Sequence, residues 1–123
     1  MTHEVLGLDH MQIAIPVDGE PTAIEFYGGL LGLPQLPKPE PQASRGGCWF
    51  RAGPIQIHLG AEADFRAAKK AHPALIVSGL DHLVSALKAA GHDVRSGDTI
   101  NGITQTFTDD PFGNRIELIA APP

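Results

Sequence analysis

The stretch Leu8-Asp9-His10-Met11-Gln12-Ile13-Ala14-Ile15-Pro16 alternates strictly: Met11, Ile13 and Ile15 fall on one side, and His10, Gln12 and Ala14 on the other. A period of two belongs to a strand with one buried face, and Pro16, which has no amide proton to give a ladder, ends it. From Pro21 the period changes. Ile24, Tyr27 and Leu31, widened by Phe26 and Leu30, lie at helical spacing and stop at Gly32, a residue suited to the left-handed turn after a helix. The spacing predicts a strand followed by a helix. Gly28 and Gly29 inside that helix each cost about 1 kcal/mol against Ala, a cost explained by close backbone packing.

Outward from this unit, Leu33 to Gly47 carries Pro34, Pro37, Pro39 and Pro41, which leaves room for a short edge strand inside an extended loop, a candidate lid. Cys48–Ala52 and Ile55–Leu59 read as a hairpin across Gly53-Pro54, with Ile55, Ile57 and Leu59 opposite Gln56 and His58. After a charged link with a short helix expected around Asp64–Lys70, the order starts again. His72–Val77 reads as a strand with His72, Ala74 and Ile76 on one side. Asp81–Ala90 reads as a helix packed through Leu80, Leu83, Val84 and Leu87 and ended by Gly91. Val94, Ile103–Thr108 and Arg115–Ala120 supply three more strands, the last two joined by Asp110-Pro111-Phe112-Gly113-Asn114.

Landmarks recur at a near-constant offset: 62 residues separate His10 from His72, 59 separate Gly32 from Gly91, and 59 separate His58 from Glu117. Two copies are too few for a solenoid, so the repeat predicts two modules facing each other. The expected fold is α+β: two β-α-β-β-β modules, at about residues 6–60 and 71–121 of a single domain, forming a cupped mixed sheet.

Composition narrows the function. Nine Lys+Arg against fourteen Asp+Glu give a net charge of −5, which disfavours nucleic acid and anionic membrane surfaces as partners. A hydrophobic fraction of 42% with 19% charged residues fits a globular chain that can close a core. No apolar run approaches the ~18–20 residues of a membrane span, and Met1-Thr2-His3-Glu4 lacks the basic and apolar regions of a signal peptide, so a cytoplasmic location is expected. Cys48, the single cysteine, can form no intrachain disulfide and reads as a small buried residue.

Four strong donors stand opposite the aliphatic faces, at repeat-equivalent places: His10 and His72 on the first strand of each module, His58 and Glu117 on the last. A pseudo-two-fold relation between modules would bring them around one axis as a metal site. Imidazole and carboxylate together suit Zn, Ni, Co, Fe or Mn better than Ca or Mg, and four protein donors leave two adjacent positions of an octahedral ion for a chelating substrate. Gln12 and Gln56 share the donor face. Trp49, Phe50 and Phe107 offer apolar walls. Arg115 shares a face with Glu117 and is expected to pair with it, while His3 and His82 are expected in solvent and His92 at helix-end carbonyls.

The text Leu8 to Pro16, the helix Ala23-Ile24-Glu25-Phe26-Tyr27 with Leu31-Gly32-Leu33, and Asp110-Pro111-Phe112-Gly113-Asn114-Arg115-Ile116-Glu117-Leu118 together resemble the vicinal oxygen chelate superfamily over about Leu8 to Ala120. The superfamily includes glyoxalases, fosfomycin thiol transferases, bleomycin-resistance proteins and extradiol dioxygenases. The resemblance implies paired β-α-β-β-β modules cupped around a divalent metal, often completed across a homodimer with shared sites. It places His10, His72 and Glu117 on the recurrent ligand positions and His58 on the variable fourth, where glyoxalase I usually has a carboxylate. The expected activity is a lyase or isomerase acting on a small oxygen-rich substrate, with His58 and Glu117 as catalytic candidates. The alternatives are an iron-dependent ring-cleaving dioxygenase and a metal-free ligand-sequestering protein.

Overall fold

The computed structural model describes residues 2–122. Strand β1 (His10–Pro16) leads into the short helix α1 (Glu20–Ala23), which continues as π-helical turns over Ile24–Leu30. Strands β2 (Gln35–Leu36), β3 (Gly47–Ala52) and β4 (Ile55–Glu62) complete the first module, with a 3-10 turn at Gln42–Ser44 inside the proline-rich loop. The second module runs β5 (Ala74–Val77), α2 (Leu80–Ala89), β6 (Val94–Ile100), β7 (Ile103–Asp109) and β8 (Arg115–Ala120).

The repeat read from the sequence holds at the level of topology. One sheet is ordered β1-β4-β3-β2 and the other β5-β8-β7-β6, so each strand of the second occupies the place of its counterpart four strands earlier. In each sheet the first strand lies parallel to the last, and the remaining pairs are antiparallel. Such parallel pairing needs a crossover, which the helix of each module supplies.

Alternation decides which side of each strand is buried. Ile13, Ile15, Cys48, Phe50, Ile57 and Leu59 of the first sheet, Ile116 and Leu118 of the second, and Phe26, Tyr27 and Leu87 from the helices form one core. The π-helical turns carry Gly28 within 3.3 Å, measured from a Cβ built there, of the Phe50 ring, so close packing accounts for that glycine. A Cβ on Gly29 meets nothing within 4 Å, so packing does not account for its neighbour.

The segment Asp64–Lys70 forms no helix. Its backbone is tied at Ala68 to the start of β8 and the turn before it instead: Ala68 O accepts from Arg115 N at 2.9 Å, and Ala68 N donates to Asn114 Oδ1 at 2.8 Å. β5 begins at Ala74, two residues after His72, and β6 runs seven residues from Val94 rather than standing as a stub. The modules are clasped by the turn after β7. Tyr27 donates to Asp110 Oδ2 at 2.7 Å, and Asn114 Nδ2 donates to Ala14 O at 2.9 Å. Burial, and then the neighbouring Asp110 carboxylate, push the Tyr27 hydroxyl far above its ordinary pKa, so it stays a donor. No helix among the described residues is long and apolar enough to cross a membrane.

Candidate metal centre

On the first sheet, His10 and Gln12 of β1, Gln56 and His58 of β4, and Trp49 of β3 all project from the face opposite the core. Register places Gln12 and Trp49 on either side of His58. The rings stack: Trp49 lies parallel to His58 at 3.8 Å between centroids, and His10 lies against His58 at 4.1 Å and 14°. Gly60 leaves room for this face, since a Cβ there would sit 2.5 Å from Gln12 Nε2.

The nitrogen atoms of these rings are already assigned. His10 Nδ1 bonds Asp9 Oδ2 at 2.8 Å; a carboxylate oxygen only accepts, so the proton sits on Nδ1 and the Nε2 lone pair is free. His58 differs, because its Nε2–H donates to Gln56 Oε1 at 2.9 Å and leaves Nδ1 as the basic atom. At 6% exposure His58 is held below the ordinary imidazole pKa, first by burial and then by the neighbouring His10.

On the second sheet, Glu117 of β8 faces His72 in the segment leading into β5. His72 Nε2 stands 3.1 Å from Glu117 Oε1, while its Nδ1–H donates to Lys70 O at 2.8 Å. Phe107 of β7, the cross-strand partner of Glu117, meets the His72 ring edge to face at 5.7 Å and 76°. A Cβ on Gly97, at the irregularity in β6, would lie 2.7 Å from that Phe107 ring; no sequence period marks this glycine.

The structure thus gathers the four donors as two pairs, His10 with His58 and His72 with Glu117. Among the described residues, no three of His, Cys, Asp and Glu stand together as a metal-holding group within one chain. Of the expected pocket residues, Gln12, Gln56, Trp49 and Phe107 lie on the donor faces. Phe50 does not: strand parity turns it into the core, fully buried, two residues from the buried Cys48. Arg115 also departs from expectation, since Glu117 faces His72 and the Arg115 guanidinium lies over Phe107 at 5.3 Å instead. His3 and His82 are exposed, and His92 packs its ring against Phe26 at 5.0 Å. Burial, with Glu20 nearby, pushes the Cys48 thiol up to about 11, which leaves it an unreactive core residue.

A cavity of about 490 Å³ opens elsewhere, lined mainly by aliphatic residues such as Leu33, Ile55, Leu75, Val77, Leu83 and Leu118. It touches none of the paired donors and offers nothing to bind an ion, so the donor faces are the better candidate for chemistry despite their openness.

Residues 7–118 match the glyoxalase/bleomycin resistance protein/dioxygenase superfamily. The chain belongs to this superfamily. Among solved structures, a glyoxalase family protein from Bacillus anthracis is 40% identical over 99% of this chain and 100% of that one, with a TM-score of 0.92. A genomically encoded fosfomycin resistance protein from Listeria monocytogenes shares the fold at 14% identity, covering 97% of this chain and 96% of that one with a TM-score of 0.77. Lactoylglutathione lyase from Agrobacterium tumefaciens does so at 18% identity, 94% and 93% coverage and a TM-score of 0.67. No curated protein matches the chain by sequence. Superfamily membership accounts for the duplicated β-α-β-β-β plan, which a fosfomycin resistance protein and a lactoylglutathione lyase share.

Proposed function

We propose that this chain is a divalent-metal-dependent lyase or isomerase that works as a homodimer on a small molecule with two neighbouring oxygens. The observation that carries this is the orientation of two imidazoles. His10 and His72 each spend Nδ1–H on an oxygen acceptor, Asp9 or Lys70 O, and each keeps an Nε2 lone pair for an ion. That is the outer hydrogen-bond pattern of metal-ligating histidine. The His72 lone pair also faces a carboxylate oxygen at 3.1 Å, an arrangement of two acceptors that a cation or a proton between them relieves. The donor set fits the group: His10, His72 and Glu117 would hold a Zn, Ni, Co, Fe or Mn ion.

Two copies are needed to assemble that set. Among the described residues β1 pairs only with β4 and β5 only with β8, so each sheet ends in an open strand beside its donors, and Ile76 on β5 is 74% exposed. A two-fold axis that sets β1 of one protomer beside β5 of its partner joins the half-cups in two equivalent sites. A bound ion would supply Lewis-acid chemistry to the substrate oxygens. His58 is placed to accept a substrate proton at Nδ1, held in position by the Trp49 and His10 rings and by Gln56. Gln12 and Gln56 bond the polar part of the substrate, and Trp49 and Phe107 cover its apolar part.

Elemental analysis and light scattering after purification without chelator test this together. One ion per protomer and a dimeric mass are expected. A monomer that retains no Zn, Ni, Co, Fe or Mn after dialysis against each would overturn it in favour of metal-free sequestration. Because two histidines and one carboxylate are also the ligand type of non-haem iron oxygenases, a ring-cleaving dioxygenase is the second reading, recognised by oxygen uptake with a catechol on the iron-loaded protein.

A further inference from the structure

We propose that Arg115 is an anion-binding residue of the cup, and that the molecule held there carries a carboxylate beyond the oxygens that chelate the metal. The inference deepens the metal-site proposal and rests on it for the chelating end of the ligand. Arg115, Glu117 and Ile119 alternate onto one face of β8, so the guanidinium shares the surface that carries Glu117 and His72. Its cross-strand partner in register is Asp109, the natural counter-ion on this face. Asp109 is committed elsewhere. Both its oxygens accept from Arg95, at 3.1 and 3.0 Å.

Glu117, two residues along, is committed to His72. Among the described residues no carboxylate therefore lies within ion-pairing distance of Arg115, in a chain where acidic residues outnumber basic ones by fourteen to nine. Arg95 takes Asp109 and, at 3.5 Å, Asp93 as well, so neither of these carboxylates is spent on Arg115. The half-buried Arg115 instead rests its guanidinium 5.3 Å from the Phe107 ring centroid. An aromatic platform holds the planar cation while leaving its N–H fork free, and that fork matches a carboxylate in two parallel hydrogen bonds.

Spacing sets the size of the ligand. Two residues along a strand span about 6.5–7 Å, so a molecule chelated beside Glu117 reaches Arg115 with a second carboxylate a few bonds away. Phe107 lies between, touching His72 on one side and Arg115 on the other, and offers its ring to the intervening carbons. The class that fits is a small 2-hydroxy- or 2-oxo-dicarboxylate.

The test compares 2-hydroxysuccinate with lactate, which share the chelating group and differ in the second carboxylate, by calorimetry on Co-loaded protein. Wild type is expected to bind 2-hydroxysuccinate at least tenfold tighter. Arg115→Gln should erase that preference and retain the lactate affinity, and Arg115→Lys should restore part of it. Equal affinities in wild type, or a preference that survives Arg115→Gln, would overturn the proposal. A second arm needs no metal: phenylglyoxal modification of Arg115 in chelator-treated protein, followed by mass spectrometry, should be slowed by succinate and not by succinamide. Protection without Co binding would sink the metal site and leave the anion site standing, whereas Co binding without protection or preference would do the reverse.

Discussion

His72 Nε2 faces Glu117 Oε1 at 3.1 Å while its Nδ1–H is held by the Lys70 carbonyl, so the ring cannot turn away from Glu117 without losing the Lys70 bond. This fixes the imidazole toward the carboxylate before anything binds. Replacing Glu117 by Gln is expected to lower bound metal at least tenfold while the thermal transition stays within a few degrees. Elemental analysis after dialysis and a melting curve check the two halves of that expectation, and full occupancy in the variant would remove Glu117 from the ligand set.

Because His10 and His72–Glu117 come from different protomers in the proposed dimer, lesions in the two halves should complement. Mixing inactive His10→Ala with inactive Glu117→Ala puts both lesions in one site and neither in the other. Up to half of the heterodimer's sites should then hold metal after subunit exchange. Metal content of an affinity-separated heterodimer measures this; no recovery would mean that each site is built within one chain.

His58→Gln should separate ion holding from proton movement. Glutamine preserves polarity and approximate size but accepts no proton, so the variant is expected to keep its metal and lose about 10²–10⁴ in kcat once a substrate is in hand. Trp49, the single tryptophan, stacks on His58 at 3.8 Å and reports whether the replacement has disturbed the face through its fluorescence. Unchanged turnover with metal retained would assign His58 to structure alone.

The Tyr27–Asp110 bond predicts an alkaline weakness. The folded state holds the Tyr27 proton well above the ordinary value near 10, whereas the unfolded chain releases it there. The folded state thus binds more protons above pH 10, and stability falls as pH rises, by at most ~1.4 kcal/mol per pH unit from this group. Tyr27→Phe should cost about 1.5–3 kcal/mol at neutral pH, the worth of a hydrogen bond to a charged group, and flatten the alkaline slope. Urea unfolding at pH 7, 10 and 11 reads both; an unflattened slope would place the sensitivity in another group.

The period-two pattern was enough to assign nearly every strand and to sort His10, Gln12, Gln56, His58 and Glu117 away from the core, because parity is a local property of the chain. It could not decide Phe50 against Trp49 as the pocket wall, since neighbouring aromatics on one strand suit either face. Asp64–Lys70 misled for a related reason: its alanines favour a helix, but Asn114 and Arg115 claim its backbone instead. The expected Arg115–Glu117 pair fails because Glu117 is met by His72, which is 45 residues away in sequence. Which half-cup meets which is carried by packing between modules and between chains, where sequence periodicity has no reach.

The clasp at Asp110–Asn114 breaks the symmetry of the duplication. The corresponding hairpin of the first module is only the two-residue Gly53-Pro54 link, whereas Asp110 accepts from Tyr27 and Asn114 reaches Ala14, both in the first module. The two copies have therefore become lock and keyhole, and their histories are no longer interchangeable. A gene carrying the first half twice would encode two keyholes and no lock, so its product would lose the clasp even though each half encodes the same strand order.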